Sequence, residues 1–132
     1  MKTYEEEKKE AIKAFNFKIN ELTADSPENT VLKEIIEKKR QYNMTDWYSI
    51  LDRIAPDYGF YFGFTQQDNI KGKILGYKPY VGFDNTNIKD KDALNRFNDI
   101  TYIPKMDECF SYMAKEIIYF MMRIKQSNSI LQ

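Results

Sequence analysis

Histidine is missing from all 132 residues, and cysteine occurs once, at Cys109. Without imidazole there is no Ser–His or Cys–His nucleophile pair and no side-chain base poised near neutral pH. Zinc sites built on histidine are excluded, and a single thiolate cannot complete a cage. A lone cysteine forms no disulfide within the chain, which fits a reducing compartment, so the cytoplasm is the expected location. Cys109 falls in a strongly apolar helical stretch and reads as a buried, inert thiol.

Net charge is missing as well, because 20 basic and 20 acidic residues cancel. The balance gives no long-range pull toward nucleic acid or an anionic membrane, and it excludes an acidic DNA mimic. No basic-then-apolar leader opens the sequence, and no apolar run reaches the ~18–20 residues of a membrane span. Gly-x-Gly-x-x-Gly and Walker-type loops are absent, so no cofactor is expected. The polar run Asp84–Asp92 fails the calcium-loop pattern: Thr86 and Ile88 occupy alternate ligand positions and the sixth position holds no glycine. Glu-x-Lys triplets of the metal-nuclease kind begin at Glu6, Glu7 and Glu37, all on expected helices. No metal site is expected either.

What remains is a chain of one ordinary domain's length with an apolar fraction of 42% and a charged fraction of 30%. A domain this long buries roughly two-thirds of the surface its unfolded chain exposes, enough to fold without staples. We therefore expect a single domain over residues 1–132, without internal repeats.

Helix signals dominate the first third. Thr3 and Glu6 form a capping box, Glu5 to Glu7 sit at the positive end of the helix dipole, and Ile12, Phe15, Ile19 and Leu22 make one apolar stripe. A second helix is expected with Ser26 as cap and Pro27 at its first position, its apolar face carried by Val31, Leu32, Ile35 and Ile36. So short a loop predicts an antiparallel helical hairpin. A third, shorter helix is expected from Thr45 as cap through Trp47 and Ile54, stopped by Pro56.

All five glycines fall between Gly59 and Gly82, interleaved with Phe60, Tyr61, Phe62, Phe64, Tyr77, Tyr80 and Phe83. Aromatics punctuated by glycine predict two or three antiparallel strands, about 59–65, 70–77 and 79–83, with Pro79 pushing the last toward an edge. On the first strand Phe60, Phe62 and Phe64 share one face, read as core against the last helix, and Tyr61 takes the other. A short helix is expected over 90–97. The last helix, about 105–127, carries Met106, Phe110, Met113, Ile117, Phe120 and Ile124 on one stripe, with Tyr112, Tyr119 and Met122 elsewhere on its circumference. The fold class expected is α+β, predominantly helical, with a small aromatic sheet and a long apolar C-terminal helix.

With the common catalytic menus closed and 15% aromatics, the expected function is a non-catalytic protein-binding module. The small cytosolic inhibitor, the immunity-type protein and the phage or mobile-element protein are the classes it resembles in size and composition. Trp47, Tyr48, Tyr61, Lys71, Lys73, Tyr77 and Tyr80 are the candidate partner-binding residues, because aromatic side chains offer large contact area at low entropic cost. Tyr112, Tyr119 and Met122 are the candidate contacts of a homodimer formed through the C-terminal helix. Two alternatives stand beside this reading. One is a single-stranded nucleic-acid binder stacking bases on residues 60–64 with nearby lysines, although the βαββαβ order of RNA-recognition domains is not present. The other is a carboxylate-based enzyme that works without histidine.

Overall fold

The Thr3 hydroxyl accepts the Glu6 amide at 3.2 Å and starts α1, Tyr4–Asp25. The computed structural model describes residues 2–68, 71–83 and 102–130, without the side chains of Phe83 and residues 127–130. The expected short helix over 90–97 and the polar run Asp84–Asp92 lie outside the described residues.

The second helix, α2, spans Thr30–Gln41, and its cap is Asn29 rather than Ser26. Asn29 Oδ1 accepts the amides of Val31 and Leu32 at 3.0 and 3.1 Å, so one carbonyl satisfies two free donors. Ser26 is used otherwise: its N–H donates to the Leu22 carbonyl and closes α1, leaving Pro27 in the turn. The third helix, α3, spans Trp47–Ile54 and is capped by Asp46, not Thr45, through the Tyr48 amide at 3.2 Å. Pro56 ends the α-helix as expected, yet the chain continues as one 3₁₀ turn, Ala55–Tyr58, before Gly59 at φ 87° releases it into the sheet.

Two antiparallel strands follow, β1 (Phe60–Asp68) and β2 (Ile74–Phe83), in register from Phe60 opposite Phe83 to Gln67 opposite Gly76. Beyond Gln67 the register shifts, Asp68 facing Ile74, which leaves Leu75 as an extra, half-exposed residue in a bulge. The separate strand expected at 79–83 is the continuation of β2. Pro79 sits mid-strand, and the backbone explains why. Tyr77 exchanges both its hydrogen bonds with Ile103, at 2.7 Å each, so its polar groups point away from β1. Antiparallel pairs alternate, which makes Tyr77–Gln66 a non-hydrogen-bonded pair, and Pro79–Phe64 the next of the same kind. The amide that proline lacks is one that β1 never needed.

The final helix, α4, spans Met106–Ile130 and makes its longest contact with α1. Its stripe Met106, Phe110, Met113, Ile117, Phe120 and Ile124 is buried, together with Phe15 and Ile19 of α1. The sheet closes one side of this helical layer: Phe60 meets Phe120 edge-on at 5.1 Å, and Phe64 meets Phe110 at 5.1 Å. The architecture is α+β and mostly helical. No described helix is long and apolar enough to cross a membrane.

Candidate partner-binding surface

The sheet has one face against the helices and one face outward. Outward from β1 point Tyr61, Gly63, Thr65 and Gln67, and from β2 Gly76, Lys78, Tyr80 and Gly82, because alternate residues share a face. Tyr61 stands opposite Gly82, and Tyr80 opposite Gly63. Each ring lies across the glycine facing it: a Cβ at Gly63 would stand 2.6 Å from the Tyr80 hydroxyl oxygen, and one at Gly82 would run into the Tyr61 ring. The glycines are required there by space rather than by a turn. The two rings meet edge to face at 6.4 Å and 75°, and stay 45% and 41% exposed. They form a rigid aromatic plateau on the solvent side of the sheet, made of groups that prefer one wet edge and one dry face.

The other candidates are distributed differently. Trp47 is buried at the junction of three helices, its Nε1 donating to Asn20 Oδ1 at 3.0 Å with Lys39 Nζ 4.3 Å above the ring. Tyr48 is half-buried among Phe15, Phe62 and Phe110, at 5.3, 5.8 and 5.4 Å between centroids. That burial pushes its phenol up to about 12. Tyr77 is buried on the inner face of β2, with its hydroxyl 3.4 Å from Glu7, and its phenol is raised by burial first and by Glu7 second. Lys71 and Lys73 are exposed in the turn between the strands, at the far end of the hairpin from the tyrosines. Of the expected partner-binding set, then, the outer face brings Tyr61 and Tyr80 together, while Trp47, Tyr48 and Tyr77 are built into the interior. On α4, Tyr112 is half-buried, and Tyr119 and Met122 are exposed. Tyr119 receives an Arg123 hydrogen bond at 3.2 Å, and the Met122 sulfur accepts from Asn29 at 3.2 Å.

No protein-family model, curated protein or solved structure matches the chain. The surface is therefore read from its own chemistry.

Two other places have the ingredients of a site. A groove of about 300 Å³ at the start of α1 and α4 is lined by Lys2, Glu7, Glu10, Tyr77, Lys105 and Asp107 among others. Its acids have structural tasks: Glu10 pairs with Lys2 at 2.7 Å, Glu7 faces Tyr77, and Asp107 Oδ1 accepts the Glu108 amide at 2.8 Å. Among the described residues no three histidine, cysteine, aspartate or glutamate side chains gather as metal ligands. A shallower hollow of about 240 Å³ beside Trp47 is lined by Ile36, Lys39, Arg40 and Met44. Arg40 there is held by both carboxylate oxygens of Glu37 at 2.7 and 2.8 Å. Glu116 is buried in α4, 3% exposed, the one charged side chain so placed among the described residues.

The plateau is written in the sequence as a repeat that single residues do not reveal. Tyr61-Phe62-Gly63 and Tyr80-Val81-Gly82 repeat one Tyr-x-Gly spacing. In an antiparallel hairpin of the right register, that repeat sets each tyrosine on the other's glycine.

Proposed function

We propose that this chain is a non-catalytic protein-binding module whose contact surface is the outer face of the hairpin, centred on Tyr61 and Tyr80. The observation that carries this reading is the reciprocal tyrosine-on-glycine packing. Both rings are fixed before any partner arrives, so little side-chain entropy remains to be lost on contact. Tyrosines of this kind, with a flat apolar face and a hydroxyl at the rim, dominate the energetics of protein interfaces. In this reading the chain is a small inhibitor or an immunity-type or mobile-element protein. Base stacking on Phe60 and Phe62 receives no support, since those rings are 0% and 7% exposed.

The test compares capture by three full-length baits: the native chain, Tyr61→Ala/Tyr80→Ala, and Phe17→Ala, which changes a 65% exposed residue on α1. The expected outcome is a protein retained by the native and Phe17→Ala baits and reduced at least about tenfold with the double variant, whose circular dichroism is unchanged. Tenfold corresponds to about 1.4 kcal/mol, modest for two interface tyrosines. Identical capture by all three baits, or salt-sensitive binding of single-stranded oligonucleotides in place of protein, would sink the reading.

A further inference from the structure

We propose that Met122 is an oxidation site wired to the cap of α2: a peroxide-class oxidant converts it to the sulfoxide, and the first turn of α2 comes loose. This goes beyond the plateau reading and does not depend on it.

Access comes first. Among the described methionines, Met106, Met113 and Met121 are buried and Met44 is half-buried, whereas Met122 is 41% exposed on α4. A hollow of about 320 Å³ beside it, lined by Thr30, Val31, Lys125 and Gln126, leaves ample room for so small an oxidant. An exposed thioether by itself would be a chemical liability and no more. What makes a site of this one is the group bonded to its sulfur.

The Met122 sulfur accepts from Asn29 Nδ2 at 3.2 Å. The same carboxamide caps α2 with its other end, where Oδ1 accepts the amides of Val31 and Leu32 at 3.0 and 3.1 Å. An amide is planar, so its nitrogen and oxygen move together. The sulfur therefore holds the plane in the orientation that the cap requires.

In the reaction a sulfur lone pair attacks one peroxide oxygen, the O–O bond breaks and an S–O bond forms. The other oxygen leaves as water after a proton shift, so that sulfur is oxidised and the peroxide reduced. Both stereoisomers of the product disrupt the contact. An oxygen on the Asn29 side would occupy the gap between sulfur and nitrogen, which at 3.2 Å admits no third heavy atom. An oxygen on the solvent side leaves an electron-poor sulfur facing the N–H, with little left to accept with. Either way the carboxamide turns, Oδ1 leaves the two amides, and donors at the start of α2 go unsatisfied. Reduction by a thiol-dependent sulfoxide reductase restores the thioether and with it the cap.

The test treats the full folded chain with hydrogen peroxide and maps the added oxygen by peptide mass spectrometry, with amide exchange and urea unfolding of the product. Met122 is expected to react at least about tenfold faster than Met106, Met113 and Met121. In the oxidised chain the Val31 and Leu32 amides exchange faster, and the folding equilibrium constant falls about fivefold, the size of a lost cap. Met122→Leu abolishes that loss, and in Asn29→Ala oxidation shifts the constant by less than about twofold, because the cap is already gone. Should either variant unfold, exchange in the oxidised native chain decides alone. Met122 reacting no faster than the buried methionines overturns the proposal. So do native protection at Val31 and Leu32 after oxidation, and an equal loss in Met122→Leu, which would trace it to another methionine.

Discussion

Phe15 shows how much a single position can hold. Its side chain is fully buried, edge-on to Tyr48 at 5.3 Å and stacked on Phe62 at 6.4 Å, so it joins α1, α3 and β1. Truncation leaves a cavity bounded by three elements that cannot all close in. Phe15→Ala should cost about 3–5 kcal/mol in urea unfolding; a loss below about 1 kcal/mol would mean the site collapses. The ionisable groups make a second prediction. Burial pushes the Cys109 thiol and the Tyr48 phenol each up to about 12, from ordinary values of 9.0 and 10.0. In both, the folded state holds its proton more tightly than the unfolded chain. Their stabilisation is therefore complete below about pH 9 and is lost as pH climbs toward 12. Thermal unfolding followed against pH should show an alkaline decline starting near 9. A thiol reagent at pH 8 should modify Cys109 only at the rate of unfolding, and rapid modification of the folded chain would contradict the burial.

At the scale of the element, helix interiors are legible and so is the Thr3 cap of α1, whereas the caps of α2 and α3 are not. The stripes of α1 and α4 are set by apolar spacing, which survives any detail of the ends. The start of α2 was decided by competition between neighbours. Ser26 and Asn29 are both good caps, and only the folded chain reveals that Ser26's backbone is consumed in closing α1. Asn29→Ala should accordingly cost about 1 kcal/mol, whereas Ser26→Ala should change stability by a few tenths. Equal losses would return the cap to Ser26. The same limit applied to the strands. Glycine and proline predicted breaks, but Pro79 lies where the ladder needs no donor, and Gly63 and Gly82 lie where a ring needs the space. Both are facts of register, which one strand's composition cannot express.

For the whole molecule, the core was visible in advance and the surface was not. The alternation of Phe60, Phe62 and Phe64 places them in the interior, and they contact Phe120, Phe15 and Phe110 there. Aromatic character does not reveal which side of a layer a residue takes, so it does not separate Trp47 and Tyr77 from Tyr61 and Tyr80. Long-range polar ties were equally hidden. Glu34 of α2 accepts from Tyr58 at 2.6 Å and pairs with Lys125 of α4, joining three segments far apart in sequence. Lys125, then Tyr58, lowers the Glu34 carboxyl below its ordinary 4.5, so this tie supports the fold above that pH and weakens as acid protonates it.

Trp47 has one more consequence. It is the chain's only tryptophan, and it touches Asn20 of α1 and Lys39 of α2 from the first turn of α3. Its emission reports on that junction and nothing else, so the chain is supplied with its own optical label for the moment three helices come together. Comparing that signal with far-ultraviolet dichroism during refolding would separate helix formation from helix docking, with no dye attached.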